Sequence, residues 1–132
     1  ALLRSAEAFG IDAVIISSRE QVKVTPTVLK VSSGAAIKVQ ISMVKSISKA
    51  IETLKENNFK IYATTLNTNK SISCLKAEDK VAVILGNEGL GVRKNLISLS
   101  DDSVTIPMIG KINSLNVSVA GAIVMNEMTR KD

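Results

Sequence analysis

Several residue types that often carry enzyme chemistry are scarce in this chain. Histidine is absent and cysteine occurs once, at Cys74. We therefore expect no metal site, since zinc needs several nitrogen or sulfur ligands, and no internal disulfide. Aromatic residues are limited to Phe9, Phe59 and Tyr62, so stacking of bases on an aromatic platform is an unfavourable binding mode. Any catalysis must proceed without imidazole, and Cys74 is interpreted as a partly buried thiol rather than a nucleophile.

Long apolar runs are also missing. Each apolar stretch is interrupted by Lys, Ser or Gly, so no membrane span is predicted, and the N-terminal residues Ala1 to Arg4 lack the layout of a signal peptide. The single cysteine agrees with a reducing compartment, and we expect a cytoplasmic protein. With 132 residues, 45% of them apolar, the chain fits one domain with a core. Its net charge of +5 suits a polyanion such as RNA, although excess lysine also serves solubility.

The order of the apolar patterns predicts an α/β fold with a mainly parallel sheet flanked by helices. Val81 to Leu85 forms a continuous apolar run, as expected for a central strand buried on both faces. Helical spacing and strand-like alternation place the other elements. The predicted helices cover residues 2–9, 27–31, 45–57, 92–97 and 115–128, and the predicted strands cover 12–17, 38–44, 59–64, 81–85 and 104–106. Residues 67–80 are polar and irregular.

A glycine-rich segment, LGNEGLGVR, follows the central strand at residues 85–93. Its glycines, Gly86, Gly89 and Gly91, permit a sharp turn and let a ligand approach the backbone. A phosphate-binding P-loop is excluded because no Lys-Ser or Lys-Thr pair follows the glycines. A dinucleotide-binding loop is also excluded, because the segment lies near the end of the sequence and no acidic residue closes a second strand about 20 residues further on.

The most informative stretch runs from Ile106 to Met128, IPMIGKINSLNVSVAGAIVMNEM. Pro107 takes the chain out of an apolar strand, and Gly110 is predicted to allow a turn that a side chain would forbid. From Leu115 the pattern predicts a helix that is apolar on nearly all sides, with Ser114 as its N-cap. The start of this helix would bring unpaired N–H groups and a positive dipole end beside the Gly110 loop, which suits a polar or anionic ligand group.

These segments resemble the signature motifs of the SpoU/TrmH group of RNA ribose 2'-O-methyltransferases, in the SPOUT superfamily. The C-terminal motif, Ile-Pro-Met, a loop with Gly, and Ser-Leu-Asn-Val-Ser-x-Ala, is matched by residues 106–120. The motif Leu-Gly-x-Glu-Gly-x-Gly-x-Arg is matched by residues 85–93. The first motif, Asn-x-Gly-x-x-x-Arg followed by a helix with Ala-Phe-Gly, is matched at Arg4 and residues 8–10, and its Asn and Gly would precede Ala1.

The resemblance implies a catalytic domain over residues 1–132, truncated at its N-terminus, with a C-terminal trefoil knot and a homodimeric assembly. The implied reaction is transfer of a methyl group from S-adenosylmethionine to a ribose 2'-hydroxyl of RNA. The linking segments look most like those of the bacterial 23S rRNA guanosine enzymes, with tRNA guanosine enzymes a close second. A non-catalytic RNA-binding protein of the same fold is a further alternative, and a small-molecule methyltransferase is disfavoured by the basic charge and the motifs.

The resemblance also assigns catalytic roles. Arg4 would position the ribose hydroxyl and assist in removing its proton, and the group that accepts the proton is left open. Glu88 would hold an arginine or polar groups of the substrate. Ser114 and Asn116 would orient the ribose and shape the loop.

A cofactor pocket for S-adenosylmethionine is implied at the junction of three loops. Backbone groups would bind the cofactor, and a side chain and a glycine would line the pocket for its adenosine. The loop after the strand 59–64 would line the same pocket. The implied cofactor-binding residues are Thr64, Gly86, Ile106, Met108, Gly110 and Leu115.

Overall fold

The structure is a computed structural model that describes residues 1–18, 26–31, 38–86, 91–112 and 115–130. Within these ranges a six-stranded sheet carries helices on both faces. The strands are β1 (Ala13–Ser17), β2 (Thr27–Val31), β3 (Gln40–Val44), β4 (Lys60–Thr64), β5 (Lys80–Ile84) and β6 (Asp102–Val104). The α-helices are α1 (Leu2–Phe9), α2 (Ile47–Glu56), α3 (Lys94–Leu99) and α4 (Val117–Thr129), and a 3₁₀ helix spans Ile72–Ala77.

The strand order in the sheet is β3-β1-β2-β5-β4-β6. The pairs β1/β3, β4/β5 and β4/β6 are parallel, whereas β2 runs antiparallel to both of its neighbours, β1 and β5. The predicted α/β class is therefore confirmed, and the sheet is mixed. The half of the sheet formed by β5, β4 and β6 is wholly parallel, so these three strands end at the same edge.

The segment Thr27–Val31 is a strand, and the short helix predicted there is wrong. Three of its five residues are β-branched and stiff at χ1, which favours a strand over a helix. In the strand, Thr27, Val28 and Leu29 are buried. The Thr27 hydroxyl has no hydrogen-bond partner among the described residues, so this central position carries an unsatisfied polar group.

Other predicted elements are present with shifted limits. The strand predicted at 104–106 is β6 at Asp102–Val104, and the helix predicted at 92–97 is α3 at Lys94–Leu99. The stretch read as irregular contains the 3₁₀ helix, whose N-cap Ser71 accepts a hydrogen bond from the Ser73 amide. Cys74 in this helix is a free, half-buried thiol, as expected.

The two faces of the sheet hold separate apolar cores because side chains alternate along each strand. On one face α1, α4 and the 3₁₀ helix cover the sheet, and α4 contributes Val124, Met125 and Met128 to this core. On the other face α2 and α3 cover it through Ile47, Ile51 and Leu96. The described part of the chain includes no helix with the length and apolarity needed to cross a membrane.

Candidate functional site

Three chain segments leave the sheet side by side at the carboxyl ends of β5, β4 and β6. Tyr62 pairs with Val83 in β5 and with Asp102 in β6, so these three residues lie side by side across the three parallel strands. Thr64 is the last residue of β4, while Gly86 and Ile106 each lie two residues beyond the end of β5 and β6. Thr64, Gly86 and Ile106, predicted from separate parts of the sequence, are thereby brought to one edge of the sheet.

The Thr64 side chain connects the ends of β4 and β5. Its hydroxyl donates a hydrogen bond to the carbonyl oxygen of Ile84 at 3.0 Å and accepts one from the amide of Gly86 at 3.2 Å. On the other side of β5, the amide of Leu85 donates to the carbonyl oxygen of Pro26 at 2.9 Å. The start of the glycine-rich loop is thus held from both neighbouring strands.

Gly86 is also packed against the far end of the same loop. A Cβ atom at Gly86 would lie 2.9 Å from the Cα atom and 3.0 Å from the carbonyl carbon of Gly91, both backbone atoms. Gly91 has a φ of +70°, a left-handed conformation that side chains rarely adopt. The sequence interpretation that glycines are needed for a sharp turn here is confirmed at both positions. Glu88, which lies between them, falls outside the described residues.

The segment after β4 is attached to the segment after β6 by three backbone hydrogen bonds. The amide of Thr65 donates to Val104 at 2.9 Å, that of Thr105 donates to Lys70 at 2.8 Å, and that of Ile72 donates to Thr105 at 3.0 Å. The segment 65–72 is therefore tied near both of its ends to residues 104–105, and these two segments together are called the wall below.

Residues 106–112 continue from this wall into a loop. Ile106 and Met108 are half-buried, whereas Ile109 and Ile112 are exposed. The prediction that Gly110 needs its glycine for the turn is wrong. Its φ does not lie in the left-handed region, and a Cβ atom there would meet no atom of the described residues within 4 Å. Gly110 instead borders open space.

Helix α4 begins at Val117, two residues later than predicted, and its N-cap is Asn116. The Asn116 side-chain oxygen accepts a hydrogen bond from the amide of Ser118 at 2.8 Å, which satisfies one of the free N–H groups at the helix start. The predicted N-cap Ser114 is thereby replaced, and Ser114 itself lies outside the described residues. Leu115 is half-buried next to the cap.

Helix α1 packs against α4 near Leu85, the residue that follows β5. A Cβ atom at Gly121 of α4 would lie 2.4 Å from Cδ1 of Leu2 and 3.1 Å from Cδ1 of Leu85, so glycine allows the two helices to approach closely. Arg4 is two residues along α1 from Leu2 and its side chain is exposed. No hydrogen bond or ion pair joins the Arg4 side chain to another described residue.

A group of titratable side chains that the sequence did not reveal joins β4 and β6 to the segment between β4 and β5. The Tyr62 hydroxyl donates to Glu78 at 2.6 Å, and Lys70 forms an ion pair with Asp102 at 2.6 Å. Burial first, and then the hydrogen bond to Glu78, raises the pKa of Tyr62 far above its usual range. The hydrogen bond between Lys70 and Asp102 raises the pKa of Lys70 and lowers that of Asp102. These groups belong to the wall of residues 65–72 and to the core behind it.

A cavity of about 420 Å³ opens at the opposite edge of the sheet. It lies at the amino ends of β4 and β5 and is open to solvent. Its lining residues are Asn58, Phe59, Lys60, Ala77, Glu78, Asp79, Lys80 and Asp101. Several of its polar groups are already occupied: Asp101 accepts from the amide of Ile61 at 2.7 Å, and Lys80 donates to the carbonyl oxygen of Asn57 at 3.1 Å. In the described ranges no group of three or more side chains could hold a metal ion.

Known proteins of one family resemble this chain over most of its length. The sequence profile of the SpoU rRNA Methylase family matches residues 1–126. A protein of Staphylococcus epidermidis named for the TrmH family of tRNA/rRNA methyltransferases is 41% identical over 130 residues, which cover 98% of this chain and 52% of that protein. A counterpart from Staphylococcus aureus is 39% identical over the same length. The chain thus spans about half the length of the curated relatives it matches.

Solved structures show the same fold. A TrmH/SpoU tRNA modifying enzyme of A. aeolicus superposes with a TM-score of 0.77 at 26% identity, over 97% of this chain and 65% of that one. An RNA 2'-O ribose methyltransferase gives a TM-score of 0.74 at 27% identity, over 96% and 48% of the two chains. AviRb of Streptomyces viridochromogenes, solved with AdoMet, gives 0.75 at 20% identity, over 97% and 53%. From the profile match and the motifs together, this chain belongs to the SpoU rRNA Methylase family.

Proposed function

We propose that this chain is the catalytic domain of an RNA methyltransferase that transfers a methyl group from S-adenosylmethionine to a ribose 2'-hydroxyl. The observation that carries the proposal is the meeting of Thr64, Gly86 and Ile106 at one sheet edge, next to the loop that leads to α4. In open α/β sheets ligands bind outside the carboxyl ends of the strands. Membership of the SpoU family and the AdoMet complex of the structural neighbour AviRb support this cofactor.

The residues at this edge fit such a cofactor. Gly110 faces open space, so an adenosine moiety could lie against its backbone, with the half-buried Met108 as an apolar wall. Backbone groups of Gly86, Ile106 and Leu115 would hold the polar parts of the cofactor. When bound, S-adenosylmethionine supplies an electrophilic methyl group on a sulfonium.

The remaining task of the protein is to align the ribose and to manage one proton. A ribose hydroxyl is a weak nucleophile and must lie in line with the bond that breaks, so positioning contributes much of the rate. No histidine is present to accept the proton. An arginine side chain is a poor base because its delocalised guanidinium has no free lone pair to accept a proton. We assign Arg4 to positioning and charge stabilisation, together with the substrate phosphate, and assign Ser114 and Asn116 to orienting the ribose, with Glu88 holding polar groups beside them.

A homodimer would complete this site. Leu3 on α1 and Val119 and Ile123 on α4 are exposed apolar residues, at 40%, 50% and 37% exposure. Val119 and Ile123 lie one turn apart on the same side of α4, and α1 packs beside α4, so the three residues suit a helix-to-helix interface. Arg4 is exposed on α1, so each active site would border the partner chain. A C-terminal trefoil knot is part of the same proposal and rests on the family resemblance.

The proposed substrate is a guanosine of large-subunit rRNA. The net charge of +5 favours a polyanionic partner. Transfer RNA is the second candidate, because the A. aeolicus neighbour is a tRNA modifying enzyme and the staphylococcal relatives are named for both RNA classes.

Methyl transfer to RNA with a nucleotide-level readout tests the proposal. The full-length protein is incubated with labelled S-adenosylmethionine and with large-subunit rRNA or tRNA, and the RNA is then hydrolysed in alkali. A 2'-O-methyl group blocks cleavage at its own nucleotide, so the proposal predicts label in an alkali-resistant dinucleotide. Label on a base, or RNA binding without any transfer of label, would contradict it.

A further inference from the structure

The hydroxyl of Thr64 forms hydrogen bonds to β5 at the point where the backbone ladder between β4 and β5 ends. The two strands pair in parallel from Lys60 with Val81 to Ala63 with Ile84. Beyond this point the backbone pairing of β4 with β5 ends. The amide of Gly86 is therefore left without a backbone acceptor from β4, and Thr64 Oγ1 accepts its hydrogen bond at 3.2 Å.

The same oxygen donates its proton to the carbonyl of Ile84 at 3.0 Å. One hydroxyl thus bridges two residues of β5, Ile84 and Gly86, across the position where the glycine-rich loop begins. A hydroxyl has one proton to donate, and here that proton is committed to the protein. Thr64 cannot donate a hydrogen bond to a ligand without releasing Ile84.

We propose that Thr64 is a positioning residue, which holds the Gly86 turn in the conformation that the cofactor requires and does not itself donate to the cofactor. The inference rests on the proposed cofactor site and gives the predicted cofactor contact at Thr64 a different role. The turn has little freedom to find another arrangement, since Gly86 is already against the backbone of Gly91. Loss of the hydroxyl would free the Gly86 amide and let the turn move by local opening.

A comparison of wild type with three variants distinguishes a positioning role of Thr64 from a general contribution to stability. Thr64→Val keeps the shape and the β-branch but removes both hydrogen bonds, whereas Thr64→Ser keeps the hydroxyl and loses only the methyl group. Thr129→Val is the matched control, because Thr129 also donates from a partly buried hydroxyl to a backbone carbonyl, that of Met125 at 2.8 Å. Wild type, the two Thr64 variants and the control are compared by amide exchange in NMR and by calorimetric titration with S-adenosylhomocysteine.

In Thr64→Val the exchange rate of the Gly86 amide should rise about tenfold, the scale of one lost hydrogen bond, and the affinity for S-adenosylhomocysteine should fall about tenfold or more. Thr64→Ser should restore both, and Thr129→Val should change neither. The inference is overturned if Gly86 exchanges equally fast in wild type and Thr64→Val, or if Ser and Val lose affinity alike.

The two proposals fail separately. If wild type does not bind S-adenosylhomocysteine, the cofactor site is wrong and the positioning role for the cofactor falls with it. If wild type binds and Thr64→Val binds equally well, only the role of Thr64 is wrong.

Discussion

The backbone of Gly91 fills the space that a side chain at Gly86 would need, with 2.9 Å between the Cα atom of Gly91 and a Cβ atom placed on Gly86. Backbone atoms at this distance cannot rotate away as a flexible side chain can. The beginning and the end of the glycine-rich loop are therefore in direct contact. The loop can keep this shape only with glycine at residue 86.

Gly86→Val should abolish binding of S-adenosylhomocysteine, because the valine side chain would push residues 86 and 91 apart and move the backbone groups that hold the cofactor. Calorimetric titration measures the affinity. Ala77→Val is a matched control, since it adds bulk at the cavity on the opposite edge of the sheet and should bind normally. Unaltered affinity in Gly86→Val would show that the cofactor lies elsewhere.

Arg4→Ala should reduce the rate of methyl transfer by about a hundredfold or more while the cofactor affinity barely changes, as expected for a group that acts on the ribose and its charge. Single-turnover methylation of a large-subunit rRNA fragment by the full-length protein gives the rate. Arg4→Lys keeps the charge but not the planar fork of donors, and should recover little. Full activity in Arg4→Ala would remove this residue from the mechanism, and equal losses of rate and binding would make its role structural.

The wild-type chain should sediment at twice its mass of 14.0 kDa at micromolar concentration. Val119→Asp and Ile123→Asp should shift it to the monomer, because each buries a carboxylate in the proposed helix interface. Met43→Asp serves as the control, since Met43 is more exposed, at 63%, but lies on the edge strand β3 and not on α1 or α4. A monomer in wild type, or equal dissociation in the Met43→Asp control, would contradict the proposed interface.

Tyr62, the single tyrosine, should remain protonated well above pH ~10 in the folded protein. Burial and the hydrogen bond to Glu78 raise its pKa in the folded state above the value in the unfolded chain. The stabilisation is fully present below the unfolded pKa of ~10 and is lost as the pH rises above it, because the unfolded chain then releases a proton that the folded protein retains.

Absorbance of the phenolate, followed against pH beside the free energy of unfolding, checks this expectation. Ionisation should coincide with unfolding, and Tyr62→Phe should weaken the fall in stability above pH ~10. A reversible ionisation near pH 10 in the native protein would show that the phenol is not held in this way.

The sequence predicted the parallel half of the sheet because its strands carry strong signals. Val81 to Leu85 is continuously apolar, and the loops after β5 and β6 carry glycine and proline at their turns. This topology brings Thr64, Gly86 and Ile106, which the family resemblance implied as cofactor residues, to one edge of the sheet.

The remaining errors have physical causes. In Thr27–Val31 the local pattern did not reveal that the segment would be enclosed between β1 and β5, so tertiary context decided its conformation. The choice between Ser114 and Asn116 as N-cap depended on which side chain reaches a free amide, and both residue types are good caps. The hydrogen bonds of Thr64 and Tyr62 join residues about 20 positions apart, and no periodicity signals such pairs.

The most direct test of the central claim is the mapping of S-adenosylhomocysteine on the chain by amide chemical shifts and amide exchange in NMR. The account predicts that the largest changes fall on residues 64–65, Gly86 and the segments 106–112 and 115–118, where the cofactor is proposed to bind. Residues 58–60 and 77–80, which line the cavity at the opposite edge, should stay unchanged. Changes confined to that cavity, or no binding at all, would contradict the proposed site.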